Sequence, residues 1–193
     1  QYSERVEFRT INGISQKILM FYGRQIGQKP YDIIDKKVQA SLFKNIYKHV
    51  TKKFATEGDI KNIETGINYV KNMRLSDEQI SKLKTDVDGF PDIYNLYQSE
   101  LRKMKLMDYD DQMVYALMIL QKYPEVLQYF RNLYKYICVD EAQDTSKIQH
   151  DLIELLAGEN GNLFMVGDED QSIFGFRAAY PEALVSFEKR RKD

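Results

Sequence analysis

The chain has 193 residues, enough to bury one substantial core, or one core plus a small satellite. Hydrophobic content of 43% with 30% charged is ordinary for a soluble globular protein; no apolar run approaches membrane-spanning length, so no membrane partner is expected. A net charge of −1 supplies no overall field for nucleic acid, so any such binding must rest on local patches.

In chain order, Arg5-Val6-Glu7-Phe8-Arg9 alternates polar and apolar as a half-buried strand does. The sequence begins at Gln1 and opens inside this pattern, as a processed chain or a piece of a longer protein would; the motifs below favour the second. A helix follows through Ile14, Ile18, Leu19 and Tyr22. Gly23 to Lys29 fails as a phosphate loop: the spacing is one residue short, no Ser or Thr follows Lys29, and a helix precedes it. It reads instead as a helix stop and turn before Pro30.

From about Tyr31 to Met104 the pattern is mainly helical. Phe43, Ile46, Tyr47, Val50 and Phe54 form a buried face, and Lys44, Lys48 and Lys52 line another that could meet phosphates or simply face solvent. The next helix starts at Gly58 or Asp59, with Ile60, Ile63, Ile67, Val70 and Met73 inward. Ser76 with Gln79 makes a capping box for a further one. Asp86-Val87-Asp88-Gly89 lacks the first and last ligands of a calcium loop and is a turn before Pro91. A helix runs from Ile93 to Met104. Asp108-Tyr109-Asp110-Asp111 opens another, its acids capping the first turn and matching its dipole. A short helix covers Glu125 to Leu133.

Tyr136-Ile137-Cys138-Val139 and Leu163-Phe164-Met165-Val166 are short apolar runs. Between them Ser146 or Thr145 can cap a helix with Ile148, Leu152, Leu155 and Leu156 on one face, before Gly158 and Gly161. Strand, helix, strand at this separation predicts a βαβ unit with two parallel strands. Cys138, alone of its kind, excludes an internal disulfide and a Cys/His zinc cluster; buried packing in a reducing cytoplasm is its expected setting. Ligands of such units sit outside the carboxyl ends of the strands, where Asp140-Glu141 and Asp168 stand. Asp140 can hold a hard cation such as Mg2+, and Glu141 can polarise a water for attack on a phosphoryl group. A solvated acidic loop is the bland alternative.

The wider wording is more specific. Val139-Asp140-Glu141-Ala142-Gln143-Asp144-Thr145 closely resembles the Walker B segment of the UvrD/Rep/PcrA group of superfamily 1 DNA helicases. Gly167-Asp168-Glu169-Asp170-Gln171-Ser172-Ile173-Phe174-Gly175-Phe176-Arg177-Ala178-Ala179 resembles that group's next motif, at the right spacing. The group's T-F-H-S segment, which touches single-stranded DNA, falls at Thr10-Ile11-Asn12-Gly13, where only Thr10 agrees. Its D-F-D-D-L segment reads Asp108-Tyr109-Asp110-Asp111-Gln112 here.

The resemblance implies an α/β fold: part of a P-loop NTPase (RecA-like) parallel sheet with a large all-helical insertion. Residues 1–24 and 106–193 would belong to the motor domain and 25–105 to the insertion. It further implies ATP and Mg2+ as cofactors, with Asp140 the metal ligand, Glu141 the catalytic base and Gln171 the γ-phosphate sensor. Phe176 and Phe174 would stack on bases, and Arg177, Thr10 and Asn12 would be further DNA contacts; core packing competes for both Phe residues, and helix capping for Thr10 and Asn12. The parent would be a cytoplasmic ATP-dependent DNA helicase of repair or replication, acting on single strands and single/double-strand junctions together with its remaining domains. No G-x-x-x-x-G-K-[ST] occurs in this sequence, so the polypeptide alone is expected to hydrolyse no ATP. A non-catalytic single-stranded DNA-binding module, and the helicase part of a recombination helicase-nuclease, are the alternatives.

Overall fold

The computed structural model describes residues 6–159 and 161–168. The chain divides into two compact units, one formed by Tyr31–Asp108 and the other by the segments on either side.

In the flanking unit, helix α1 (Ile11–Gln25) begins where the Thr10 hydroxyl accepts the Gly13 N–H, and the chain turns through Gly27 before Pro30. Helices α6 (Tyr109–Lys122), α7 (Pro124–Leu133) and α8 (Lys147–Ala157) pack with α1 around Ile18, Leu117, Leu120, Val126, Phe130, Ile148 and Leu152. Phe21 stacks on Tyr129 at 4.1 Å between ring centroids. The two strands at Tyr136–Val139 and Asn162–Met165 pair in parallel, with Tyr136 opposite Asn162 and Val139 opposite Met165. The βαβ unit is therefore present as expected. Ser146 caps α8, its N–H donating to Gln149 Oε1 at 2.9 Å.

Two expectations fail in this unit. Residues 6–10 form no strand; Phe8 is 90% exposed. Alternation alone does not make a strand, because the backbone needs a partner ladder, and among the described residues none pairs with it. Glu7 is tied down by its side chain instead, accepting from Lys17 Nζ (2.8 Å), Tyr134 Oη (3.0 Å) and Arg9. The Lys17 ammonium above all holds the Glu7 carboxyl down at about 2. Cys138 is exposed, not buried. It shares a strand face with Tyr136 and Phe164, while the opposite face carries Ile137 into the helical core. A parallel sheet buries both faces only where both are covered, and among the described residues helices cover one.

The Tyr31–Asp108 unit is almost wholly helical. Its chain enters through β1 (Asp32–Ile33) and leaves through β2 (Leu106–Met107), which pair in parallel. With those named, the longer strands above are β3 (Tyr136–Val139) and β4 (Asn162–Met165). Helix α2 (Lys36–Thr51) starts where the Asp35 carboxylate accepts the Lys37 and Val38 N–H groups. It buries Phe43, Ile46 and Tyr47 and stops where Lys52 turns left-handed at φ 61°. Phe54 lies past that stop and is 81% exposed, so the helical period that placed it in the core does not reach it. Helix α3 (Glu57–Asn72) starts slightly earlier than the sequence suggests, capped by Thr56 with Asp59 in a reciprocal box. The short α4 (Asp77–Ser81) has the expected Ser76–Gln79 box. Helix α5 (Phe90–Met104) begins before Ile93, with Gly89 at φ 69° and Pro91 in the first turn. Gly66 of α3 admits the Phe90 ring; a Cβ there would lie 2.5 Å from it.

Asp108, expected from the sequence to cap α6, is engaged inside the helical unit. Its Oδ2 accepts from Lys71 Nζ at 2.6 Å and from Tyr97 Oη at 3.1 Å, and Gln39 Nε2 donates to that phenol oxygen at 2.8 Å. The ion pair is buried, with side-chain exposures of 2% and 9%. Removing one partner of a buried pair leaves an uncompensated charge. Lys71→Met should therefore destabilise the protein by about 3–5 kcal/mol in urea unfolding. Lys36→Ala, which breaks an exposed pair with Glu64, should cost about 0–1 kcal/mol. Equal effects would show that the buried pair is not holding this end of the unit.

Candidate active site at the ends of two parallel strands

The acidic residues stand where β3 stops. Asp140 is exposed, and its Oδ1 accepts the N–H of Glu141 at 3.0 Å. Glu141 adopts φ 51° and ψ 43°, a left-handed conformation that costs a non-glycine residue about 1–3 kcal/mol. A single 3-10 turn, Ala142–Asp144, comes next and leads into Thr145. The Thr145 hydroxyl donates to Ala142 O at 2.6 Å, so its 2.6 Å contact with His150 Nε2 requires the proton on that nitrogen. Thr145 thus braces the turn, and the capping of α8 falls to Ser146.

The two strand ends are stitched together. The ladder continues past β4, with Val166 N–H donating to Val139 O at 2.8 Å and Ala142 N–H donating to Val166 O at 2.9 Å. Gln143, 3% exposed, completes the join. Its Nε2 donates to Glu141 Oε2 at 2.7 Å, and its Oε1 accepts the Asp168 N–H at 3.1 Å. One amide therefore fixes the Glu141 carboxylate and reports the position of the Gly167-Asp168 turn. The turn passes so close that a Cβ on Gly167 would lie 2.6 Å from Gln143 Oε1. Gln143 lies within the segment that resembles Walker B, but no role is expected of it there. Beside the strand ends lies a cavity of about 700 Å³, walled in part by Phe8, Thr10, Cys138, Asp140, Thr145 and Phe164. Thr10 and Asp140 thus share one cavity. Asn12 sits in the first turn of α1 with its Oδ1 buried and without a hydrogen-bond partner. Gln171, Phe174, Phe176 and Arg177 lie outside the described residues.

No group of three metal-ligating side chains converges among the described residues. Mg2+ is commonly held by one or two carboxylates with phosphate oxygens and waters completing the shell. The exposed Asp140 carboxylate at a strand end fits that manner of binding.

These features define the class: an α/β domain whose parallel strands deliver carboxylates to one sheet edge, where ligands bind in such folds. The family model described as the UvrD/REP helicase N-terminal domain matches residues 1–192, and the chain belongs to that family. It is similar to the ATP-dependent DNA helicase PcrA of Staphylococcus aureus, 34% identical over 97% of this chain and 26% of that protein. Its counterpart in Staphylococcus epidermidis is 33% identical over 93% of this chain and 25% of that protein. The chain therefore spans about a quarter of the length of the curated relatives it matches.

Gln143→Leu keeps the bulk but removes both bonds. It should cost about 1–3 kcal/mol through the stranded polar partners. Amide exchange at Asp168, followed by NMR, should accelerate. Unchanged exchange there would mean that the strand ladder alone holds the turn.

Proposed function

We propose that this chain is the part of an ATP-dependent DNA helicase that carries the acidic edge of its first motor domain and a helical insertion, and that the parent couples ATP hydrolysis to movement along single-stranded DNA. The observation that supports it most is the Glu141–Gln143–Asp168 bridge. It joins the proposed base to the start of the segment bearing Gln171, Phe174, Phe176 and Arg177, so a change at the phosphate would be felt by the DNA contacts. On this reading Tyr31–Asp108 is the helical insertion, and the flanking unit is part of a P-loop NTPase (RecA-like) sheet.

Asp140 would hold Mg2+, which neutralises phosphate charge when bound. Glu141, oriented by Gln143 and by its own backbone, would accept a proton from the attacking water. Gln171 would sense the γ-phosphate, and Phe176, with Phe174, would stack on bases. Arg177, Thr10 and Asn12 would be further strand contacts. Substrates would be single strands and single/double-strand junctions in a cytoplasmic setting, with the parent's remaining domains as partners.

Glu141→Gln keeps shape but not basicity. In the parent it should lower turnover by about two orders of magnitude or more while nucleotide affinity stays within a few-fold. An equal loss of affinity would make Glu141 structural. The present chain by itself has no G-x-x-x-x-G-K-[ST] segment. In a steady-state assay with Mg2+ and saturating single-stranded DNA it should show no turnover. DNA-stimulated hydrolysis that Glu141→Gln abolishes would overturn that expectation.

A further inference from the structure

The Thr145 brace has a second member that the chemistry proposed above does not use. His150 lies in the first turn of α8, buried, and its Nε2 stands 2.6 Å from the buried hydroxyl of Thr145. A carbonyl oxygen only accepts, so the Thr145 proton is committed to Ala142 O and the hydroxyl must accept from the His150 Nε2–H. Burying an imidazole costs free energy unless its polar atoms are bonded. Helix α8 already packs through Ile148, Leu152 and Leu156, and that packing does not call for an imidazole. The brace fixes the two peptide planes that follow Glu141. Ala142 N–H, in the first plane, donates to Val166 O at 2.9 Å. Ala142 O, in the second, accepts the Thr145 hydroxyl at 2.6 Å and the Thr145 N–H at 3.3 Å. Together they set how the chain leaves the left-handed Glu141 and where Gln143 starts on its way to the Glu141 carboxylate. A residue in that conformation relaxes unless its surroundings over-determine it.

We propose that His150 is a positioning residue for the Glu141 carboxylate, acting through Thr145. Its Nε2–H holds the Thr145 hydroxyl in the rotamer that clamps Ala142 O, and so ties the turn beneath the proposed base to helix α8. Chained hydrogen bonds of this kind strengthen one another where water is excluded. The route is indirect: the Glu141 carboxylate accepts from Gln143 and not from His150, so His150 is no candidate for the base itself. This rests on the reading of Glu141 as the group that activates water.

The chain has two histidines, and His49 is exposed on α2. Ring nitrogen NMR spectra of the present chain carrying His49→Gln therefore show His150 alone. Nε2 should carry a proton that exchanges slowly with solvent, and Thr145→Val should speed that exchange several-fold. A proton on Nδ1 alone, or exchange that Thr145→Val leaves unchanged, would overturn the proposal. In the parent, His150→Phe fills the space without the donor. It should lower kcat roughly 10- to 100-fold, the scale of a small misplacement of a reacting group, while nucleotide affinity stays within a few-fold. His150→Gln, whose amide N–H can donate from near the place of Nε2, should recover most of that loss. Thr145→Val should match His150→Phe, and replaces it in the comparison if His150→Phe does not fold by circular dichroism. Full turnover in folded His150→Phe, or an equal loss in folded His150→Gln, would make His150 a packing residue and overturn the proposal. Turnover that survives Glu141→Gln would instead overturn the reading of Glu141, and the two failures are told apart because the ring spectra need no ATP.

Discussion

The parallel pairing of β3 with β4 is the constraint on which the strand-end site depends. In register from Tyr136 to Val139, the two strands must stop together, and the segments that leave them must meet. Asp140-Glu141 leaves β3, and Gly167-Asp168 stands just beyond β4. Gln143 converts that adjacency into a mechanical link, because a buried amide with both ends bonded cannot move with one strand end and leave the other. Shortening the spacing on either strand by one residue would turn the side chains to the opposite face and break the join.

The helical unit depends on a different interaction. Its two ends are close, as the β1–β2 pairing requires, yet two residues of ladder are a weak closure on their own. Lys71, reaching from α3 to the last residue of the unit, supplies the rest. A buried ion pair is not a strong source of net stability, because desolvation offsets most of the attraction. What it adds here is geometry: Asp108 accepts from both Lys71 and Tyr97, and Gln39 in turn holds the Tyr97 phenol.

Much of this is legible in the sequence, and the division between what is and what is not depends on range. The β3 segment, its parallel partner and the Ser76–Gln79 box rest on local pattern and turn chemistry, which act within a few residues. The failures rest on what lies across the fold. Placing Phe54 in the core extends a period through Lys52, where the backbone turns left-handed and the helix has ended. Cys138 and Phe8 read as packed because apolar alternation describes a strand and not what covers it. The link from Gln143 to Asp168 and that from Lys71 to Asp108 escape the pattern because they span 25 and 37 residues. The roles of Gln171, Phe174, Phe176 and Arg177 rest on resemblance and stay proposals.

Glu141 is where local and global demands disagree, and the disagreement is informative. A glutamate has no intrinsic reason to take a left-handed conformation, which suits glycine and, less often, asparagine. Here it takes one between a strand end and a 3-10 turn, and its carboxylate is held by Gln143. Glycine would relieve the backbone but remove the carboxylate, and asparagine would shorten the reach. The sequence keeps the strained residue and surrounds it with compensating bonds: the Val166 and Ala142 ladder links, the Thr145 brace and the Gln143 amide. A merely solvated acidic loop would need none of these. The concentration of backbone strain and hydrogen bonding on one exposed carboxylate is what the proposed chemical role of Glu141 rests on.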